Sequence, residues 1–570
     1  MNENKFLLVA INSKYIHSNP AVYCLKSSAD KYSDMVEIKE YTINNHTYDI
    51  LRGIYEAKPD IIGFSCYIWN ISLIDEILFE LEKILPDVPV WLGGPEVSYH
   101  PEDFLKTHNN VSGVMRGEGE SVFPKLLACY ADNTIDKITN LDGVSIRDLY
   151  GNIVNNPCPK PVDLNDFSMP YHASDYDGEG YKNRIIYYES SRGCPFSCSY
   201  CLSSVDKKLR FRNPETVKKD LLFFIEKEVP QVKFVDRTFN CNKNHAMEIW
   251  RFIKDNDRGI TNFHFEIAAD LLTDEEIEIL NSLRPGLVQL EVGIQSTNPH
   301  TIEAIHRSMN LDLVADNIKK IKSAHNIHVH LDLIAGLPYE DIVSFEKSFN
   351  DVYRMEPDAL QLGFLKLLYG SPLRDEADGY GIVAQNSPPY EVLFTKWVDF
   401  SQMIQLKLIE NVLDMYYNSK MFVWSIKYLI SNWESEFKFY SDLGKYYDNE
   451  YPNGSLPSKN GKYELLYRFG CGYLDDKRIK YLGELLKFDM FCRENIKSLP
   501  SFLKFDKVKS DKAGEYAGGR KLTKAEHIEI FDIDIPYFME AGVIREKETA
   551  IHFDYMHRDN LFNNALIVFL

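Results

Sequence analysis

The chain has 570 residues, a formal net charge of −20, a hydrophobic fraction of 45% and ten cysteines. That length exceeds one core, so roughly two to four domains are expected. No run of eighteen apolar residues occurs, which excludes an ordinary membrane-spanning helix, and so acidic a field repels phosphate backbones, which argues against nucleic acid as a partner.

The first residues, Met1-Asn2-Glu3-Asn4-Lys5, lack the basic and apolar regions of a signal peptide. Ten cysteines in so long a chain do not make a disulfide framework, so reduced thiols and a cytoplasmic location are expected. Lys5 to Ile11 is an apolar run bounded by polar residues, a buried strand. A loop follows through Asn12 to Pro20, then a helical stretch from Ala21. Strands are expected at Val36 to Ile43, Pro59 to Cys66, Pro89 to Leu92 and Val111 to Met115. Apolar residues at Ile74, Ile77, Leu78, Leu81 and Leu85 mark a helix between the second and third of these. Alternating strand and helix predicts a doubly wound parallel sheet, whose ligands bind beyond the strand ends. Gly93-Gly94-Pro95 and Gly117-Glu118-Gly119-Glu120 close two of those strands, and glycine there lets backbone approach a bulky ligand. A hairpin is expected within Gly143 to Val154, around Tyr150-Gly151-Asn152, and Pro157 to Pro170 reads as an extended connector.

Arg184 to Ser190 reads as a strand, and Glu189 to Cys201 follows with Cys194, Cys198 and Cys201 at Cys-x3-Cys-x2-Cys spacing. Thiolates are soft ligands that suit iron–sulfur clusters and zinc. A structural zinc site wants a second Cys/His pair, and the next cysteine is Cys241, alone. A cubane takes four ligands, so three leave one iron open to a small molecule. Beyond the loop, strands are expected at Gln231 to Val235, Phe263 to Ala268, Leu287 to Gly293, His328 to Ile334 and Ala359 to Leu365. Helices at Pro214 to Glu228, Thr273 to Leu283 and Leu311 to His325 fall between them.

The cysteine loop, with Tyr200 just before its last thiol, resembles that of the radical S-adenosylmethionine enzymes. The glycine-ended sheet ahead of it resembles the cobalamin-binding domain of their cobalamin-dependent members. The resemblance implies a 4Fe-4S cluster on Cys194, Cys198 and Cys201, with S-adenosylmethionine chelated to the open iron. It implies a partial (βα)6 barrel. Tyr200, Asp236, Glu266, Gln295, Ser296 and Gly336 are then expected to face S-adenosylmethionine, Tyr200 near the adenine, Gly336-Leu337-Pro338 under it, and the Asp236-to-Asn240 segment where the methionine amino group binds. Asn12, Ser65, Gly93, Gly94, Gly117, Glu118 and Gly119 are expected to line the cobalamin site. One departure stands out. The Asp-x-His-x-x-Gly signature of other cobalamin proteins is absent, and Tyr15 stands two residues before His17 where its aspartate would be. A loop hydrogen-bonding role is therefore expected for His17 in place of cobalt ligation.

Asn386-Ser387-Pro388-Pro389 breaks the pattern. Beyond it, Glu391 to Tyr417, Met421 to Tyr440 and Arg478 to Asn495 read as helices, and His527 to Ile533 and Ala550 to Tyr555 as strands. The region carries no chemical motif of its own. It resembles the extension found on some cobalamin-dependent radical enzymes, and is expected to pack on the barrel. The expected domains are 1–140 for cobalamin, 141–183 for hairpin and linker, 184–385 for the radical domain and 390–570 for the C-terminal domain.

The resemblance implies an enzyme that methylates an unactivated carbon of a small molecule, through methylcobalamin and a 5'-deoxyadenosyl radical. An electron donor such as flavodoxin or ferredoxin is the implied partner. A non-methylating rearrangement or cyclisation is a variant of the same logic. A tRNA methylthiotransferase would need a second cluster on N-terminal cysteines, for which Cys24, Cys66 and Cys129 are the candidates. A non-catalytic cobalamin sensor would not need the intact triad.

Overall fold

The computed structural model describes residues 4–148, 150–171, 184–496, 498–503, 507–517 and 522–570. The last part of the expected linker, 172–183, lies outside them. Two compact units divide the chain: Met1–Leu290 with Ile305–Met309 and Leu365–Leu393, and Glu291–Ala304 with Asn310–Phe364 and Phe394–Leu570.

The first unit opens with a seven-stranded sheet of β1 (Phe6–Asn12), β2 (Val36–Thr42), β3 (Ile61–Ser65), β4 (Val90–Gly93), β5 (Val111–Met115), β6 (Val144–Arg147) and β7 (Ile153–Asn155), in the order 2-1-3-4-5-6-7. β1 to β5 pair in parallel, and β6 and β7 join antiparallel at one edge as the expected hairpin. β1 and β3 are buried throughout, as apolar strands covered on both faces must be. The helix Ile71–Ile84 lays Ile74, Ile77, Leu78 and Leu81 into the core, the face its periodicity specified.

The same unit carries β8 (Ile185–Tyr188), the short pair β9 (Ser191–Arg192) and β10 (Arg210–Phe211), β11 (Gln231–Phe234), β12 (Asn262–Glu266) and the start of β13 (Val288–Gln295). β13 passes into the second unit, which holds β14 (His328–Ala335) and β15 (Ala359–Phe364), paired in parallel. The sheet order is 15-14-13-12-11-8. Six strands in near-sequential order with helical crossovers are the partial barrel that the pattern called for. The short pair of β16 (Val383–Ala384) and β17 (Val392–Phe394) follows β15.

In the second unit, helix Ile342–Tyr353 packs against helix Glu436–Glu450 through aromatic rings. Phe349 meets Phe437 at 5.6 Å and Tyr440 at 5.9 Å, and Tyr353 meets Tyr417 at 4.8 Å. The Asn418 amide accepts from the Leu360 N–H and donates to the Leu360 carbonyl of β15, both at 2.9 Å. The C-terminal region is thus built onto the last strands of the barrel. Its far end is an antiparallel sheet of β18 (Glu526–Ile533), β19 (Glu546–Arg558) and β20 (Ala565–Phe569). β20 was not foreseen.

The expected helix over Glu391 to Tyr417 begins later, at Phe400, because Asp399 and Gln402 form a capping box there and β17 occupies the residues before. The stretch from Met421 to Tyr440 is two helices, Val423–Ile430 and Glu436–Glu450, the second capped by Ser435.

Asp489 is buried and accepts from the Trp424 N–H, the Ser425 N–H and the Ser425 hydroxyl, fixing the start of helix Val423–Ile430. Burial pushes its carboxyl up to about 7 against those three donors. A raised carboxyl contributes its full stability below the ordinary value of about 3.9, and that contribution is lost as pH rises through about 7. Asp489→Asn is therefore expected to lose less melting temperature between about pH 5.5 and about pH 8 than the natural protein does. Equal losses would show that this carboxyl does not titrate in that window.

Candidate active site

Strand ends of both sheets converge on one cavity of about 1090 Å³ in the first unit. From the seven-stranded sheet come Asn12, Ser65, Gly93 and Met115, the last residues of β1, β3, β4 and β5. Gly117, Glu118 and Gly119 line it from the loop after β5. From the barrel side come Tyr187, Tyr188, Glu189, Arg192, Leu202, Val205, Lys233 and Glu266. The parallel order 2-1-3-4-5 puts the crevice beyond β1 and β3, where doubly wound sheets take their ligands. The volume exceeds the roughly 300–1,000 Å³ typical of a drug-sized ligand.

The N-terminal wall is locked by polar side chains. Asn12 donates to Glu40 Oε1 at 3.0 Å and accepts from Asn19, which also donates to Ser65 Oγ, both at 3.2 Å. Gly94 has φ +120°, and a Cβ there would stand 2.4 Å from the Cys66 carbonyl oxygen, so only glycine lets β4 turn away beside Cys66. His17 lines the cavity with Nδ1 hydrogen-bonded to the Tyr187 hydroxyl at 2.9 Å. Burial, then Lys14 and Lys233, lowers its pKa and favours the neutral ring.

The cysteine loop follows β8. Cys194 and Cys198 are buried and Cys201 half-buried, and none is in a disulfide. Arg307 donates to Cys198 Sγ at 3.7 Å and to the Tyr200 hydroxyl at 3.3 Å. Burial raises the Cys198 thiol, and the Arg307 guanidinium opposes that rise. The loop is pinned from beneath by Asp236. Its carboxylate accepts from the Ser190 N–H at 2.9 Å, the Ser190 hydroxyl at 2.7 Å and the Ser191 hydroxyl. Burial pushes Asp236 up to about 7, against these donors. Both oxygens of Asp236 are thus engaged with the loop. Asn240 is likewise engaged with the Ala268 backbone, accepting at 2.9 Å and donating at 2.8 Å.

Glu266 lines the cavity, 3.8 Å from Lys233 Nζ. Tyr200 is held by Arg307 and does not line it. Gln295, Ser296 and Gly336 belong to the second unit. There the Ser296 hydroxyl donates to Glu340 Oε1 at 2.6 Å. Gln295 sits at φ +73° and Gly336 at φ +88°.

Three features escaped the sequence reading. Tyr67 and Trp69 stack at 4.4 Å with 6° between their planes, and both line the cavity just past β3. Two aromatics directly after a strand end were the available signal. Arg192 lies among three carboxylates, 2.8 Å from Glu189, 2.7 Å from Glu120 and 3.3 Å from Glu118. It ties the residue before Gly193-Cys194 to the loop after β5. Arg210 adds a second cation, 2.6 Å from Glu118. Arg307 had no local signal, since its partner Cys198 is more than a hundred residues away.

Among the described residues no three His, Cys, Asp or Glu side chains gather around a single ion. A cubane binds each thiolate through a different iron and so needs a wider spacing than one ion does. A loop of three free thiols beside a guanidinium fits that group. The strand-end crevice, with backbone exposed at Gly93 and Gly94, fits a large flat cofactor.

The chain matches the B12 binding domain family over residues 7–127, the Radical SAM superfamily over 188–352 and the Protein of unknown function (DUF4080) family over 378–553. It is similar to the cobalamin-dependent radical SAM methyltransferase TokK of Streptomyces tokunonensis, 27% identical over 353 residues that cover 59% of this chain and 51% of the relative. It is also similar to the anaerobic magnesium-protoporphyrin IX monomethyl ester cyclase of Rubrivivax gelatinosus, 21% identical, covering 58% of this chain and 60% of that one. The chain spans about half the length of the first curated relatives it matches. Among solved structures, the cobalamin-dependent S-adenosylmethionine radical enzyme OxsB, with aqua-cobalamin and S-adenosylmethionine bound, shares the fold. Its TM-score is 0.57 at 16% identity, covering 92% of this chain and 82% of that one. Among the described residues no helix is long and apolar enough to cross a membrane. The chain carries a B12-binding domain, a radical S-adenosylmethionine domain and a DUF4080 domain, in that order.

Proposed function

We propose that this protein is a cobalamin-dependent radical S-adenosylmethionine enzyme that methylates an unactivated carbon of a small molecule. The observation that carries the reading is the shared cavity. Strand ends of the B12-binding sheet and of the barrel, together with Leu202 just after the cysteine loop, line one space of about 1090 Å³. In this reading Cys194, Cys198 and Cys201 hold a 4Fe-4S cluster, and Asn12, Ser65, Gly93, Gly94, Gly117, Glu118 and Gly119 border cobalamin. When bound, the cluster with S-adenosylmethionine supplies a hydrogen-abstracting radical and cobalamin supplies the methyl group.

The chain's own residues supply position and dryness. Asp236 fixes the backbone before the cluster loop. Arg307 neutralises thiolate charge and orients Tyr200. Arg192 and its carboxylates join the cluster loop to the B12-binding loop. Tyr67 and Trp69 cover apolar cavity wall. Glu266 is the strand-end residue best placed to meet S-adenosylmethionine. The neutral His17 ring, bonded to Tyr187, is assigned no cobalt. A cytoplasmic location and a one-electron donor of flavodoxin or ferredoxin type follow from the same chemistry, because the cluster must be reduced by an outside protein.

A radical reaction without methyl transfer is the second reading, favoured by the similarity to a cyclase. The full chain, purified without oxygen and reconstituted, separates the readings. Methyl transfer predicts about four irons per chain and both S-adenosylhomocysteine and 5'-deoxyadenosine, formed only with cobalamin present. 5'-Deoxyadenosine alone supports the second reading. About eight irons per chain would point to a second cluster and overturn both.

A further inference from the structure

The segment Leu365–Leu393 reaches two parts of the site that are far apart in sequence, and nothing in the cofactor chemistry accounts for it. It lies in the first unit with the B12-binding sheet and the cysteine loop, and its second half opens the DUF4080 match. It folds back on itself, with the Leu367 N–H donating to the Tyr390 carbonyl at 3.0 Å and the Val392 N–H to the Leu365 carbonyl at 2.9 Å. At one end the Leu373 N–H donates to the carbonyl of Ser199, between Cys198 and Cys201, at 2.9 Å. At the other it grips the helices after β4. The Tyr390 hydroxyl donates to Glu96 at 2.9 Å, with both side chains buried. The Tyr369 ring stacks on His100 at 3.8 Å. The Arg374 guanidinium lies 3.5 Å over the Tyr369 ring and 5.4 Å from the Tyr390 ring.

Between these grips sits Tyr99, which lines the cavity. Gly370 is at φ +84°, and a Cβ there would stand 2.3 Å from Tyr99 Cε1. The strap thus backs Tyr99 directly, with no room for a side chain between them.

We propose that residues 365–393 are a strap that holds the Tyr99 ring at the wall of the cofactor cavity, making Gly370, Tyr369, Arg374 and Tyr390 positioning residues for a corrin cofactor. The first part of the DUF4080 region is then a component of the cobalamin site. The proposal rests on the reading that this cavity takes cobalamin.

Hydroxocobalamin affinity of the full chain, followed by absorbance after reconstitution of the iron, tests it without any substrate. Gly370→Ala presses on the ring and is expected to weaken hydroxocobalamin binding about tenfold, a coupling of ordinary size for residues in contact. Tyr390→Phe, which loses the bond to Glu96, is expected to weaken it about threefold. Alanine at φ +84° is strained in any case, so Tyr99→Ala/Gly370→Ala decides the cause. If the strap acts through the ring, the double variant binds hydroxocobalamin as Tyr99→Ala alone does. Unchanged affinity in both Gly370→Ala and Tyr390→Phe overturns the strap. So does a Gly370→Ala loss of the same size with Tyr99 removed. If the unaltered protein retains no hydroxocobalamin while holding its iron, the cobalamin reading itself fails, a result distinct from either.

Discussion

Replacing any one of Cys194, Cys198 or Cys201 by alanine is expected to strip the iron from the reconstituted protein and to end S-adenosylmethionine cleavage. The three thiols lie on one loop, and two of them are buried. Removing a residue that only supports a metal ligand costs about 10–100-fold in affinity, so removing a ligand costs roughly 100-fold or more. The loop itself should survive. Its backbone is fixed by Asp236 through Ser190 and Ser191, and by the Cys194 N–H donating to the Asp206 carbonyl at 3.0 Å. The variants should therefore melt like the unreconstituted natural protein while holding almost no iron. Wild-type iron and wild-type 5'-deoxyadenosine in any one of them would remove that cysteine from the site.

Truncation after Pro389 is expected to have the second large effect, on folding. A module joined by a flexible tether could be cut away without harm. Here the cut strips partners from the helix Ile342–Tyr353, leaving Phe345, Phe349 and Tyr353 without Phe437, Tyr440 and Tyr417. Exposing a large apolar side chain costs about 1.5–3 kcal/mol. Three such rings come to roughly 4.5–9 kcal/mol, comparable to the whole stability of a domain at about 5–15 kcal/mol. Leu360 also loses both hydrogen bonds to Asn418. The truncated chain should aggregate, or should expose β14 and β15 to protease. A soluble truncated protein with native protection of those strands would restore the picture of an independent C-terminal module.

Much of this protein was legible in its sequence. β1 and β3 were legible as apolar runs, because burial on two faces leaves a strand no polar positions, and β11, β13, β14 and β15 as residues that alternate between buried and less buried positions. The cysteine loop was legible for a different reason. A cluster needs three soft ligands on one short piece of backbone, so the chemistry is written in local spacing. Gly94 was legible at the end of β4, where the close approach of the Cys66 carbonyl forbids a Cβ.

What the tertiary structure decided is everything that depends on meetings across long separations. Arg307 and Cys198, Arg192 and Glu120, Tyr390 and Glu96 carry no spacing rule, since each partner is an ordinary residue until folding brings it to the other. The same holds for the internal partners of Asp236 and Ser296: folding placed hydroxyl donors or a carboxylate within their reach, and buried polar groups are hydrogen-bonded. In the C-terminal region, capping residues at Asp399 and Ser435 set helix boundaries that aromatic periodicity alone blurred. Its attachment came from ring packing on the helix Ile342–Tyr353, which is non-directional and leaves no pattern along the chain, and from the Asn418 bonds to Leu360 of β15.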